Sequence, residues 1–281
     1  MNRMPTLDFI ETDGGISRIF EYNPSNCVHL QTEKQVAQIL DTTVFGPTLF
    51  LDGVLQSAVK DEYLYHEMLV HPLMSCLGPD DRDRIAIFGG GEGCTAREVF
   101  HWPFVGDVRM YDYDRQLVMY FKNNATPWNS TDALNDRRLH LRFSDVFQEV
   151  RYSENGRFNG LIIDLIDPEA SNQWASLLRN AFHWIHSTGA MVINAGGIYP
   201  WDMKNLKFLY HIAKSHIEQQ DLDFEVHAYK VFVPSFGREW AFLLIHHRPL
   251  NSFQPNHPTI RYYTPQKLQL INPEDLNSET M

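Results

Sequence analysis

Four stretches of this chain, each rich in apolar residues, run out onto an acid. Residues 85–89 lead through glycines to Glu92, residues 108–111 to Asp112, residues 141–144 to Asp145, and residues 161–163 to Asp164, with Asp167 three positions further on. If these runs are strands of one parallel sheet, their carboxyl ends open on a common crevice and the acids line it. Such a crevice suits a cation, and a carboxylate within hydrogen-bond reach can also take a proton from it. An aliphatic amine calls for both services. Its pKa lies near ~10.4, so it arrives protonated and must lose a proton before its nitrogen can attack carbon. Asp164 and Asp167, delivered by an apolar run and followed by Pro168, would make a compact anionic pocket for such an amine. Plainer readings stand beside these: Asp145 precedes a helical stretch and serves equally as its N-cap, and Asp112 with Asp114 could be solvated strand-end residues.

The glycines between the first run and Glu92 narrow the guest. Gly89, Gly91 and Gly93 follow G-x-G-x-G, and a glycine turn ahead of a helix lets a nucleotide approach the backbone and the helix's free N–H donors. A dinucleotide site spaces its glycines G-x-G-x-x-G, which would place the third at position 94, where Cys94 stands. The Glu92 carboxylate would also repel a pyrophosphate at this turn, so a cationic or phosphate-free nucleoside is the better guest. Asp112 lies 21 residues beyond Gly91. An acid at the end of the second strand is placed to accept both ribose hydroxyls, in adenosylmethionine-type and NAD sites alike.

These residues need a scaffold, and its pattern is legible. Strands are expected at 85–89, 107–112, 138–143, 159–164, 189–195, 224–233 and 239–246, with helices near 94–101, 115–124, 145–151, 171–186 and 203–219. Only residues 234–238 separate the last two strands. The expected fold is therefore α/β: a Rossmann-like, methyltransferase-type, mostly parallel sheet with a terminal antiparallel hairpin. Residues 1–60 read as a small N-terminal antiparallel β module, with strands at 16–22, 28–32 and 36–43. A last hairpin joins Leu49-Phe50-Leu51 to Val54-Leu55-Gln56 across Asp52-Gly53. Residues 61–281 read as the nucleoside-binding catalytic domain. It begins with a helix carrying Tyr65, Met68, Leu69 and Leu73 and ends in a punctuated tail with one short helix after Thr264-Pro265.

Composition excludes several classes of partner. The 281 residues carry 35 acidic and 24 basic side chains, a formal charge of −11, which argues against nucleic acid or an anionic membrane as the main partner. The longest apolar runs, such as Ala241-Phe242-Leu243-Leu244-Ile245, are too short to span a bilayer, and charges interrupt the first 20 positions. A cytoplasmic protein is the expectation. Cys27, Cys76 and Cys94 form no C-x-x-C pair, so neither a disulfide framework nor a structural zinc site is expected. His66-Glu67 and His71 resemble a zinc-peptidase helix only superficially, because histidines five apart diverge by about 140° on a helix, whereas H-E-x-x-H keeps them four apart on one face. No metal is expected there.

Taken together and in order, these motifs make the chain resemble the polyamine synthase family, the spermidine synthase-like aminopropyltransferases. The resemblance runs from Phe45-Gly46 and the Leu51 to Ser57 segment, through the glycine turn and Asp164 to Pro168, to the closing hairpin. Details closer to the thermospermine synthase branch are Ala96-Arg97-Glu98-Val99 after the glycines, Tyr65-His66-Glu67 with Leu69-Val70-His71-Pro72, and Val233-Pro234-Ser235-Phe236 with Trp240. The resemblance implies transfer of an aminopropyl group from decarboxylated S-adenosylmethionine to an amine, releasing methylthioadenosine. By position it implies that Glu92 holds the aminopropyl ammonium, Asp112 the ribose and Asp145 the adenine amino group. It further implies that Asp164, with Asp167 and Tyr65 beside it, orients and deprotonates the attacking amine. Gln56, His66, Phe236 and Trp240 fall on the amine side. The family also implies a homodimer built through the N-terminal module, which has too few strands to bury both faces alone.

The chain departs from the family in three places. Ser25-Asn26-Cys27-Val28 stands where a Ser-Lys-Tyr-Gln segment supplies a glutamine to the nucleoside, Asn194 replaces a glutamine after the fifth strand, and Phe236 replaces the pocket tyrosine of spermidine synthases. Two other readings of the same fold are an S-adenosylmethionine-dependent N-methyltransferase and a catalytically retired binding homologue. Glu92 weighs against the first, because it would face the parent cofactor's carboxylate. The clustered acids weigh against the second.

Overall fold

A computed structural model describes residues 6–13, 15–128, 131–152, 158–250 and 257–277. The N-terminal module is a five-stranded antiparallel meander, β1 (Leu7–Asp13), β2 (Ile16–Gln31), β3 (Val36–Thr42), β4 (Gly46–Leu51) and β5 (Val54–Ala58), paired in that order. The Asp52-Gly53 turn forms as its residue types require, both residues in the left-handed region at φ 48° and 84°. Two expectations fail here. β1 has no counterpart in the sequence reading, and residues 16–22 and 28–32 are one strand whose register against β3 shifts between Asn23 and Val28, a bulge that bends the strand. The module curls until Glu11 on β1 accepts the Leu55 N–H of β5 at 2.8 Å.

Helix α1 (Glu62–Cys76) follows, then alternating strands and helices: β6 (Arg84–Gly89), α2 (Cys94–Phe100), β7 (Asp107–Asp112), α3 (Arg115–Asn123), β8 (Leu139–Phe143), α4 (Val146–Glu149), β9 (Phe158–Asp164), α5 (Asn172–Ala181), β10 (Ile185–Ile198), α6 (Lys204–Gln219), β11 (Glu225–Val233) and β12 (Arg238–His246). The tail adds β13 (Gln269–Leu270) and α7 (Pro273–Asn277). The large sheet has the order β13-β11-β12-β10-β9-β6-β7-β8. Its strands β8, β7, β6, β9 and β10 are parallel, and β12, β11 and β13 are antiparallel, so the mostly parallel sheet with a closing hairpin is as expected. Helix α5 stops five residues short of the expected 186, and β10 begins four residues early, at Ile185. The expected helix over 145–151 is a single turn. Just after Thr264-Pro265 there is only a 3-10 turn, and the short helix comes later, as α7.

The central strands are buried on both faces. In β6, Ile85 and Ile87 join the core that contains α1 and the N-terminal residues Phe20, Leu40, Leu49 and Phe50, while Ala86 and Phe88 join the core under α5 and α6. Helix α1 is nearly all interior because the module and the sheet share that first core around it. Asp114 ties the two parts together: it accepts from Thr32 Oγ1 (2.7 Å) and Gln35 Nε2 (2.9 Å) of the module while capping α3 through Leu117 N–H. Among the described residues no helix is long and apolar enough to cross a membrane.

Candidate active site

The turn between β6 and α2 is shaped by contacts only glycine tolerates. Gly89 has φ 85°, and a β-carbon there would lie 2.0 Å from the Asp164 carbonyl oxygen on the adjacent strand. A β-carbon at Gly91 would lie 2.9 Å from Asp112 Oδ2. The turn is thereby drawn against the ends of both neighbouring strands, β7 and β9, and their acids flank it.

Asp164 is held at both oxygens. Tyr65 Oη on α1 donates to Oδ1 at 2.7 Å, and Thr95 Oγ1 on α2 donates to Oδ2 at 2.5 Å. Burial, followed by the nearby Glu92 charge, raises the Asp164 carboxyl above its ordinary range. That shift improves a carboxylate as a proton acceptor near neutral pH. Burial and the Asp164 charge together keep the Tyr65 phenol protonated. Thr95 was not singled out by sequence reasoning; its only signal was its place in the first turn after the glycines.

Glu92 is paired as well. His66 Nε2 lies 2.8 Å from Glu92 Oε1, and His66 Nδ1 lies 2.9 Å from Glu62 Oε2 and 2.8 Å from the Glu62 carbonyl. Every neighbour of this ring is an acceptor, so both nitrogens donate and the ring is an imidazolium. Burial opposes the charge, but the hydrogen bonds to Glu62 and Glu92 outweigh it and push the pKa up to about 10. Glu92 is correspondingly lowered, burial notwithstanding, by His66. Arg97 Nη2 donates to the same Glu62 Oε2 at 2.8 Å, and Glu62 falls to about 2, its burial outweighed by His66 and Arg97. One ligating atom each of His66, Glu92 and Asp164 lie within 4.8 Å of one another. Two carboxylates and one imidazolium leave a net negative charge in this cluster, room for one further cation. A metal would find no lone pair on His66 in this state. His71 points elsewhere: Trp102 Nε1–H donates to its Nδ1 at 3.0 Å, so Nε2 carries the hydrogen and faces Glu98 at 3.1 Å.

Asp112 ends β7, and its Oδ1 accepts the Asp114 N–H at 2.8 Å. Burial, with added repulsion from Glu92, raises its carboxyl to about 7. Asp145 is exposed and caps α4 through the Phe147 N–H at 2.9 Å. This is the plainer of its two sequence readings, and its adenine role stays with the proposal below. Asp167 stands at the open mouth of the crevice beside Gly196, its carboxyl raised to about 6, chiefly by desolvation.

An aromatic wall continues from Tyr65. Its ring lies 6.2 Å from Phe236, 6.3 Å from Trp240 and 5.3 Å from Phe242, and Phe236 and Trp240 are 4.4 Å apart. Asn194 explains its own presence. Its Oδ1 accepts Trp240 Nε1–H at 2.8 Å and Gly196 N–H at 3.0 Å, while its amide donates to the Leu165 carbonyl at 2.9 Å. It locks the indole and shapes the β10 bulge, a positioning role the sequence did not disclose. Gln56 is half-buried on β5, its amide 3.3 Å from the Val54 carbonyl, and Val28 is a partly buried strand residue opposite Ile39.

Sheet order and glycine turn define a methyltransferase-like α/β fold, with acids at the carboxyl ends of its strands. The model of the spermine/spermidine synthase domain matches residues 62–255, and the chain belongs to that family. A polyamine aminopropyltransferase of Sulfolobus acidocaldarius is 31% identical over 205 residues, 71% of this chain and 64% of that protein. Polyamine aminopropyltransferase 2 of Pseudomonas aeruginosa is 31% identical over 254 residues, 85% and 70% of the two chains. A thermospermine synthase of Arabidopsis thaliana is 30% identical over 220 residues, covering 76% of this chain and 62% of its own length. The chain thus spans about two-thirds of these relatives. Among solved structures, the spermidine synthase of Thermotoga maritima superposes with a TM-score of 0.79 at 19% identity, covering 95% of this chain and 91% of its own. A spermidine synthase in complex with the transition-state analogue AdoDATO gives 0.81 at 19% identity, with 95% and 92% coverage. At that identity these two speak to the fold alone.

Proposed function

We propose that the protein transfers the aminopropyl group of decarboxylated S-adenosylmethionine to a di- or polyamine and releases methylthioadenosine. The observation that carries this reading is the convergence of Glu92, His66 and Asp164 at the foot of the glycine turn, one ligating atom of each within 4.8 Å of the others. In the proposed reaction Glu92 holds the donor's ammonium, Asp112 accepts the ribose hydroxyls and Asp145 meets the adenine amino group. The acceptor amine lies against Tyr65, Phe236 and Trp240, with Gln56 as a further pocket residue. Asp164 takes a proton from the amine, whose lone pair attacks the methylene next to the sulfonium. The carbon–sulfur bond breaks, and its electron pair leaves sulfur neutral in methylthioadenosine. The leaving group needs no acid, so the protein's contribution is orientation and electrostatic stabilisation of cations. No step calls for a metal.

The same proposal places a second copy of the chain on the N-terminal module. β1 is an edge strand, and Ile10 and Ile19, paired across β1 and β2, are 63% and 67% exposed. The cytoplasmic setting read from composition belongs to this proposal too. The function is tested by incubating the protein with decarboxylated or intact S-adenosylmethionine and a panel of amines, then identifying products by mass. An amine heavier by one aminopropyl group, with methylthioadenosine, is expected; a methylated amine or no product would overturn the reading.

A further inference from the structure

The proposed base hangs from two hydroxyls on different helices, and only one of them belongs to the amine wall. Tyr65, on α1, donates to Asp164 Oδ1, and its ring continues into Phe236 and Trp240. Thr95, in the first turn of α2, donates to Oδ2 at 2.5 Å and is itself fully buried. A threonine at a helix start ordinarily bonds backbone groups of its own turn; this one reaches an acid 69 residues away. On its other side lies the glycine turn: a β-carbon on Gly90, at φ 79°, would lie 3.4 Å from Thr95 Cβ and 3.5 Å from Oγ1. Thr95 therefore stands between the turn and the base, with no exposed surface to offer a substrate.

We propose that Thr95 is a positioning residue for the proton transfer, holding the Asp164 carboxylate ready for the amine without itself touching donor or acceptor. This deepens the aminopropyltransferase reading and rests on it. Asp164 can take a proton from the amine only while it is ionised, and its surroundings are divided over that charge. Burial opposes it first and Glu92 in the glycine turn second, while His66 on α1, Thr95 and Tyr65 favour it. Asp112, at the end of β7, is a further acid whose charge meets that of Asp164. A hydroxyl that donates to a carboxylate stabilises its ionised form. Removing that donor leaves a buried acceptor to bear its desolvation penalty, so the base holds its proton more readily and fewer molecules are competent near neutral pH. Valine has nearly the shape of threonine and lacks the donor, so it separates this role from packing.

The test is turnover of the full chain with decarboxylated S-adenosylmethionine, a four-carbon diamine and spermidine serving in turn as acceptor, at pH 7 and pH 9. Titrations of the amine, Tyr65, His66, Glu92 and Asp112 are common to wild type and variant, so the ratio of the two rates reads Asp164. Thr95→Val should lower turnover at least about fivefold at pH 7, the scale of one hydrogen bond to a charged group, and that loss should shrink at least about twofold by pH 9. Thr95→Ser, which keeps the donor, should stay within about twofold of wild type. Methylthioadenosine affinity by calorimetry should be unchanged in both. Should Thr95→Val fold poorly, Thr95→Ala set against Thr95→Ser, a pair differing by the hydroxyl alone, reads the same loss. A smaller loss at pH 7, one that does not shrink by pH 9, or one matched by a fall in methylthioadenosine affinity would overturn the inference while leaving aminopropyl transfer standing. A wild type that makes no aminopropylated product from either amine would overturn both.

Discussion

Replacing Asp112 by Asn should make the empty protein more stable while depriving it of its nucleoside. The Asp112 carboxyl rises from the ordinary 3.8 to about 7, burial being the main cause and the Glu92 charge adding to it. At 1.36 kcal/mol per pKa unit this is a destabilisation of about 4 kcal/mol when the group is ionised in both folded and unfolded chains. The sign follows from the direction of the shift. Above pH 7 the folded protein carries the full penalty. Between pH 7 and about 4 the folded carboxyl is protonated and the unfolded one is not, so the penalty shrinks by about 1.4 kcal/mol per pH unit. Below 3.8 it is gone. An asparagine keeps the Asp114 N–H bond and drops the charge, so a gain of roughly 2–4 kcal/mol is expected at pH 8, falling to about two-fifths of that at pH 5. Urea unfolding of the two proteins at both pH values reads this, and calorimetry with methylthioadenosine should show binding weakened at least tenfold in the variant. An Asp112→Asn protein no more stable than wild type at pH 8, or a gain of equal size at pH 5, would refute the electrostatic reasoning. Undiminished nucleoside binding would remove Asp112 from the site.

Two further outcomes are expected. Asp164→Asn should lower turnover by about 10²–10⁴, the usual cost of losing a general base, with methylthioadenosine affinity by calorimetry nearly unchanged; near-normal turnover would take Asp164 out of the mechanism. Light scattering should find a dimer at micromolar concentration, and Ile10→Lys with Ile19→Lys should shift it towards monomer; a monomeric wild type, or a double variant of unchanged mass, would count against pairing through this module.

The framework of the large sheet was readable because apolar runs, glycines and strand-end acids are local signals. What failed was set by distant partners. β1 reads as Leu-Asp-Phe-Ile-Glu-Thr-Asp, too charged for a strand in isolation. Yet Glu11 is fully buried because Arg18 (2.7 Å) and the Leu55 N–H pair with it across the curled module. Helix α5 ends early where Trp184 is drawn into the core and donates to the Val150 carbonyl at 3.2 Å, a contact 34 residues away. The acids of the crevice were legible one by one, but their protonation was not. The Glu62–His66–Glu92 chain and its Arg97 anchor join α1, the glycine turn and α2, and no spacing rule announces that His66 is a cation. Asn194 read as a departure from the family pattern until its contacts with Trp240 and Gly196 gave it a structural task.

The central claim is that this crevice is built for a donor bearing an ammonium without a carboxylate, and the most direct measurement is the affinity of the wild type and Glu92→Gln for decarboxylated and intact S-adenosylmethionine by calorimetry. The wild type should favour the decarboxylated form at least tenfold, because Glu92 pairs with its ammonium and repels the parent's carboxylate, and Glu92→Gln should narrow that preference. Equal wild-type affinities, or a preference for the intact cofactor, would contradict the account and favour the methyltransferase reading.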